Sequence, residues 1–164
     1  MNSFSFFLLL ATFLCALVAG ITLIFAIVIM PGLKSLGDRA FLRAFQAIDG
    51  VIQNNQPIFM IVWLGSAVSL LIATILGFGV LNAFDQGILI GALIVYSAGV
   101  QATTMAINIP LNNQLQATDL DKLEDAEIAE ASAAFANRWL SGNRIRTWLA
   151  CLTTLGLLAV VWRC

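Results

Sequence analysis

The chain has 164 residues, 60% of them hydrophobic and only 10% charged, with a mean hydropathy of +0.95, against roughly 45–50% apolar and 25% charged in an ordinary soluble domain. This is the composition of an integral membrane protein, and a chain this short forms a single domain. Eight Lys and Arg against nine Asp and Glu leave a net charge of −1, without the basic excess that a nucleic-acid partner requires. Histidine is absent, which excludes histidine-based triads, HExxH zinc sites and histidine-ligated haem. No metal site and no cofactor is expected.

Three cysteines cannot all pair. Cys15 and Cys151 fall inside apolar runs and no CxxC occurs, so they read as small buried thiols rather than a disulfide framework.

The first apolar stretch, Phe4 to Met30, would be about 40 Å long as a helix and spans the roughly 30 Å hydrocarbon core with tilt. It has no positive n-region and continues past its small residues to Met30-Pro31, so it is expected to be retained rather than cleaved as a signal peptide. The second uncharged run gives a span over 58–81. Asn82-Ala83-Phe84-Asp85-Gln86-Gly87 then makes a tight turn into a third span over 88–109. Gly87 and Gly91 form a GxxxG that permits close approach of a helix partner or a second copy of the chain. The last apolar run is short, and the fourth span is expected over 143–162, its helix starting around Trp139 to Asn143.

Seven of the eight basic residues fall in the first and third connections (Lys34, Arg39, Arg43, Lys122, Arg138, Arg144 and Arg146), and only Arg163 elsewhere. The positive-inside rule therefore makes both long connections cytoplasmic and puts both termini and the Asp85 turn outside, with the plasma membrane the expected location. In the first connection, Phe41, Phe45, Ile48 and Ile52 recur at helical spacing opposite Arg39, Arg43 and Gln46, predicting an amphipathic helix packed on the bundle end or lying in the interface. In the third, Thr118-Asp119-Leu120-Asp121 has the form of a helix start, and six acidic residues between Asp119 and Glu130 form an anionic face. The expected fold is an all-α integral membrane four-helix bundle with amphipathic helices in the two long cytoplasmic connections.

No Asp, Glu, Lys or Arg lies in the central part of any expected span, which disfavours a carboxylate-driven transporter. Polar chemistry gathers instead at the cytoplasmic ends. Gln101, Thr104 and Asn108 share one helix face, and Asn108-Ile109-Pro110-Leu111-Asn112 is expected to break the helix and turn its amides. Trp139, Asn143 and Arg146 lie at i, i+4 and i+7, extending a stripe from Ile128, Ser132 and Phe135. Arg146 precedes an apolar run and calls for a buried partner, with Asp38, Asp49 and the acidic connection as candidates. Both groups belong to the same side and can converge on one pocket, where amide and guanidinium donors in an apolar interior suit a flat hydrophobic molecule carrying a carbonyl or phenolate oxygen.

Met30-Pro31-Gly32-Leu33, Phe45-Gln46-Ala47-Ile48, Asn108-Ile109-Pro110-Leu111-Asn112 and Trp139 with Asn143, Arg146 and Thr147 together resemble the anthrone oxygenase-like family of small membrane proteins. The resemblance implies a four-helix membrane fold and, for fungal relatives, cofactor-independent oxygenation of an anthrone to an anthraquinone. Carried over, it implies Arg146 and Asn143 as catalytic oxyanion donors. Asn108 and Asn112 would be substrate donors and Trp139 a stacking wall, beside Gln101 and Thr104. With no histidine, the base would be an acidic residue or water. Two other readings compete: a non-enzymatic membrane scaffold or subunit packing a partner through Gly87 and Gly91, and a lipid-binding or transport accessory using residues 35–53.

Overall fold

A computed structural model describes residues 2–164. Five helices follow in order: α1 (Ser3–Lys34), α2 (Asp38–Gln53), α3 (Pro57–Gly77), α4 (Ala83–Gln116) and α5 (Asp125–Arg163). All but α2 are long and apolar enough to cross a membrane, and no strand occurs among the described residues. The protein is an all-α bundle of the expected class.

Local chemistry fixes the helix starts. The Asn2 side chain accepts from the Ser5 N–H at 2.8 Å, and Asn82 accepts from the N–H groups of Phe84 and Asp85, both at 3.0 Å, so both helices begin with side-chain caps. Gly37, at φ 81°, turns the chain between α1 and α2 in a conformation that favours glycine. Gln56 caps α3, with Pro57 in its first turn. A reciprocal capping box of Glu124 and Glu127 starts α5.

Two expectations are corrected here. Pro110 does not break the third span, which runs unbroken from Ala83 to Gln116. The wide π-helical turn Thr104–Asn108 comes just before it, so Pro110 falls in the first turn of the α-helical segment Ile109–Gln116, where its missing N–H costs little. Pro31 is accommodated in the same way, behind the π turn Phe25–Ile29 in α1. The fourth helix does not start near Trp139 but at Asp125, and it continues through Gly142 for 39 residues, about 58 Å and far more than the apolar layer. The expected helix start at Thr118–Asp121 is instead a turn segment, because its backbone is drawn onto α2. The Arg39 guanidinium donates to the carbonyls of Leu120 and Leu123 and to Asp125, and Arg43 pairs with Asp121.

α1 packs against α3 and α5, α4 packs against α5, and α3 meets α4 near their connecting turn. Small residues along this core, among them Ala11, Ala73, Ala92 and Ala150, let backbones approach closely where lipid offers no hydrophobic driving force. A second core lies at the other end. The amphipathic helix α2 buries Phe41, Leu42 and Phe45 against Phe135 and Trp139 of α5 and Leu115 of α4. Facing water, each such side chain contributes about 1.5–3 kcal/mol. At the opposite end, Arg163 Nε donates to buried Asp85 at 2.6 Å. Gly87 and Gly91 both face open space.

Candidate functional site

Between the two cores lies a cavity of about 360 Å³, within the range of small-molecule sites. Its lining includes all seven residues singled out in the sequence: Gln101, Thr104, Asn108 and Asn112 from α4, and Trp139, Asn143 and Arg146 from α5. The spacing of three and four residues keeps the α4 set on one face, and the unbroken α5 does the same for the other set.

Arg146 is the centre of the arrangement. It is only 6% exposed, and its guanidinium donates to Asn143 Oδ1 at 2.8 Å and to Thr104 Oγ1 at 3.3 Å. The guanidinium carbon lies 5.5 Å from the Trp139 ring centroid and 5.9 Å from that of Trp63, within cation–π reach of both. None of the expected acidic partners reaches it. Asp49 is engaged by amides, and the acidic connection is taken up by Arg39 and Arg43. The guanidinium charge therefore faces the cavity without a carboxylate among the described residues, and its Nε–H has no protein acceptor.

The amides around it are held from behind. Asn143 Nδ2 donates to the Thr22 carbonyl at 2.8 Å, just before α1 widens into its π turn. Asn108 Nδ2 donates to the Trp139 carbonyl at 3.1 Å, while its Oδ1 finds no protein donor. Gly142 permits this crossing: a Cβ there would lie 2.8 Å from Asn108 Oδ1. Gln101 Oε1 accepts from Trp63 Nε1 at 2.9 Å and leaves Nε2 unpartnered.

Asn112 has its orientation fixed on both sides. Its Nδ2 donates to Asp49 Oδ1 at 2.6 Å and its Oδ1 accepts from Trp139 Nε1 at 2.8 Å. A carboxylate only accepts and an indole N–H only donates, so the amide can sit in one way alone. The cavity thus combines aromatic walls with two unpaired donors, Arg146 Nε and Gln101 Nε2, and one unpaired acceptor, Asn108 Oδ1. Buried polar groups of this kind are costly unless something satisfies them.

Sequence reasoning missed Trp63, Phe59 and Phe25, which complete the aromatic lining, and the role of Asp49. Trp63 carried one signal: a tryptophan well inside an apolar run is out of place for a residue that favours the membrane interface.

Among protein families, the model for anthrone oxygenase matches residues 51–156. Neither the curated proteins nor the solved structures contain a match. The matched segment takes in α3, α4 and α5 as far as Gly156, and with them all seven of these polar and aromatic residues. It extends over about two thirds of the chain, and the chain accordingly belongs to the anthrone oxygenase family.

Proposed function

We propose that the cavity binds a flat hydrophobic aromatic molecule of the anthrone or hydroquinone type and promotes its oxygenation by dioxygen. The observation that carries this reading is the buried Arg146 guanidinium, which faces an aromatic-walled chamber without a carboxylate to neutralise it. A fixed positive charge in a dry site stabilises an oxyanion far more than it would in water.

In the chemistry the family implies, the activated C–H of the substrate loses a proton and its carbonyl becomes an enolate oxygen. Arg146, with Asn143 holding its guanidinium, stabilises that oxygen, while Trp63 and Trp139 hold the rings. The electron-rich carbon gives two electrons to dioxygen and forms a C–O bond, yielding a hydroperoxide. Loss of a second proton and of hydroxide turns this into the new carbonyl, so that one dioxygen supplies one oxygen to the quinone and one to water. No carboxylate lines the chamber among the described residues, so the protein's part is to lower the cost of the anion, and the first proton passes to water.

Gln101, Thr104, Asn108 and Asn112 are the substrate contacts in this reading. The same reading keeps the membrane of the cell's interior face as its site, with the α2 end cytoplasmic and both termini outside, because the basic residues gather at that end. The open Gly87 and Gly91 face is available to a partner helix or a second copy of the chain. The test is direct: purified protein in lipid should accelerate oxidation of anthrone to anthraquinone over the buffer and empty-lipid rates. Equal rates with and without the protein reject the proposal.

A further inference from the structure

The chamber is closed on the sides formed by α1 and α5, where Thr22, Trp139, Asn143 and Arg146 are all buried. It is also closed toward α2. There Asp49 accepts from Asn112 Nδ2 at 2.6 Å, Gln53 Nε2 at 2.7 Å and Gln116 Nε2 at 3.1 Å. Although it lies on the helix at the end of the bundle, Asp49 is only 3% exposed, so water does not reach it through this floor.

One side remains. The lining residues Leu64 of α3 and Met105 and Ile109 of α4 are 56%, 62% and 43% exposed. All three are apolar and they flank the same seam. The two helices meet near their connecting turn, and Ser66 with Tyr96 at 2.6 Å and Trp63 with Gln101 at 2.9 Å bridge them. On the α2 side of Trp63, no side-chain hydrogen bond joins α3 to α4 among the described residues. Counted from Asp85 and Gly77, Met105 and Leu64 lie about 30 Å and 20 Å along their helices, which sets the opening at the acyl-chain level of the leaflet on the α2 side.

We infer that the chamber exchanges its ligand laterally with that leaflet, through a mouth between α3 and α4. Its substrates are then uncharged aromatic molecules dissolved in the bilayer, and water-soluble analogues of the same shape are excluded. This rests on the chamber being a binding site, as proposed above.

The test uses the full chain in lipid nanodiscs with Trp63→Phe, Trp148→Phe and Trp162→Phe, which leave buried Trp139 as the sole indole emitter. Phospholipid brominated on its acyl chains should quench Trp139, and aqueous acrylamide should not. Quenching by acrylamide, or by neither reagent, overturns the lateral mouth. A second arm adds 9,10-anthraquinone to the membrane and its disulfonate to the water. The uncharged quinone should quench saturably and the disulfonate should not. Leu64→Phe with Met105→Phe should slow quinone association about tenfold; an unchanged rate counts against the mouth. Bromolipid quenching without quinone quenching retains the mouth and sinks the proposed ligand class, so the two failures are distinguishable.

Discussion

Replacing Arg146 by Met separates a chemical role from a packing role, because the two predict different pairs of outcomes. The substitution removes two hydrogen bonds, to Asn143 Oδ1 at 2.8 Å and to Thr104 Oγ1 at 3.3 Å, each worth about 1.5–3 kcal/mol for a charged donor. It also removes cation–π contacts to Trp63 and Trp139, worth roughly 0.5–2 kcal/mol each. Against this, it relieves the burial of a charge without a carboxylate, a cost of several kcal/mol. The opposing contributions leave a net change of about 2 kcal/mol or less, equivalent to a shift of roughly 8 °C at most in Tm for a chain of this size. Nothing offsets the loss at the reacting oxygen, where removing one oxyanion donor costs about 10²–10³ in rate. The assay pairs thermal unfolding in detergent with anthraquinone formation, followed by absorbance and oxygen uptake. Near-native Tm with a rate down by about two orders of magnitude supports the assignment. A large drop in Tm, with activity lost only in proportion to the folded fraction, would refute the reasoning and make Arg146 a structural residue.

Further substitutions test the framework around it. Gly142→Ala places a Cβ 2.8 Å from Asn108 Oδ1 and 2.9 Å from Ile107 Cγ2, so unfolding in detergent should show a loss of about 1–3 kcal/mol. Gly87→Ala meets nothing within 4 Å and should be neutral or slightly stabilising in the same assay. Gly99→Ala collides with Leu149, at 2.3 Å from its Cδ1; adding Leu149→Ala should recover part of the loss, giving a measurable coupling in a double-mutant cycle. Asp49→Ala strips the acceptor from Gln53, Asn112 and Gln116 and should lower stability by about 2–4 kcal/mol. Asp49→Asn, which keeps the shape and one acceptor, should lose less in the same unfolding measurement.

The amphipathic pattern of Phe41 and Phe45 against Arg39 and Arg43 is a property of α2 alone, which is why its buried face was legible in the sequence. The same holds for the four apolar spans, the Asn82 cap and the two polar stripes, each set by residue spacing along one helix. Sequence reading therefore found all seven cavity residues before any contact between helices was known. It could not find what depends on the order in which donors and acceptors are satisfied. Pro110 looked like a helix end because its missing N–H is a local fact, whereas the π turn that absorbs it is a matter of how α4 packs on α5. Asp49 looked like a partner for Arg146 because opposite charges attract. Only the tertiary structure gave Asp49 to the amides of Asn112, Gln53 and Gln116 and gave Asp121 and Asp125 to the arginines of α2. Periodicity decides which face of each helix is polar; competition among partners in three dimensions decides which charge is left unpaired, and here that is the guanidinium of Arg146 facing the chamber.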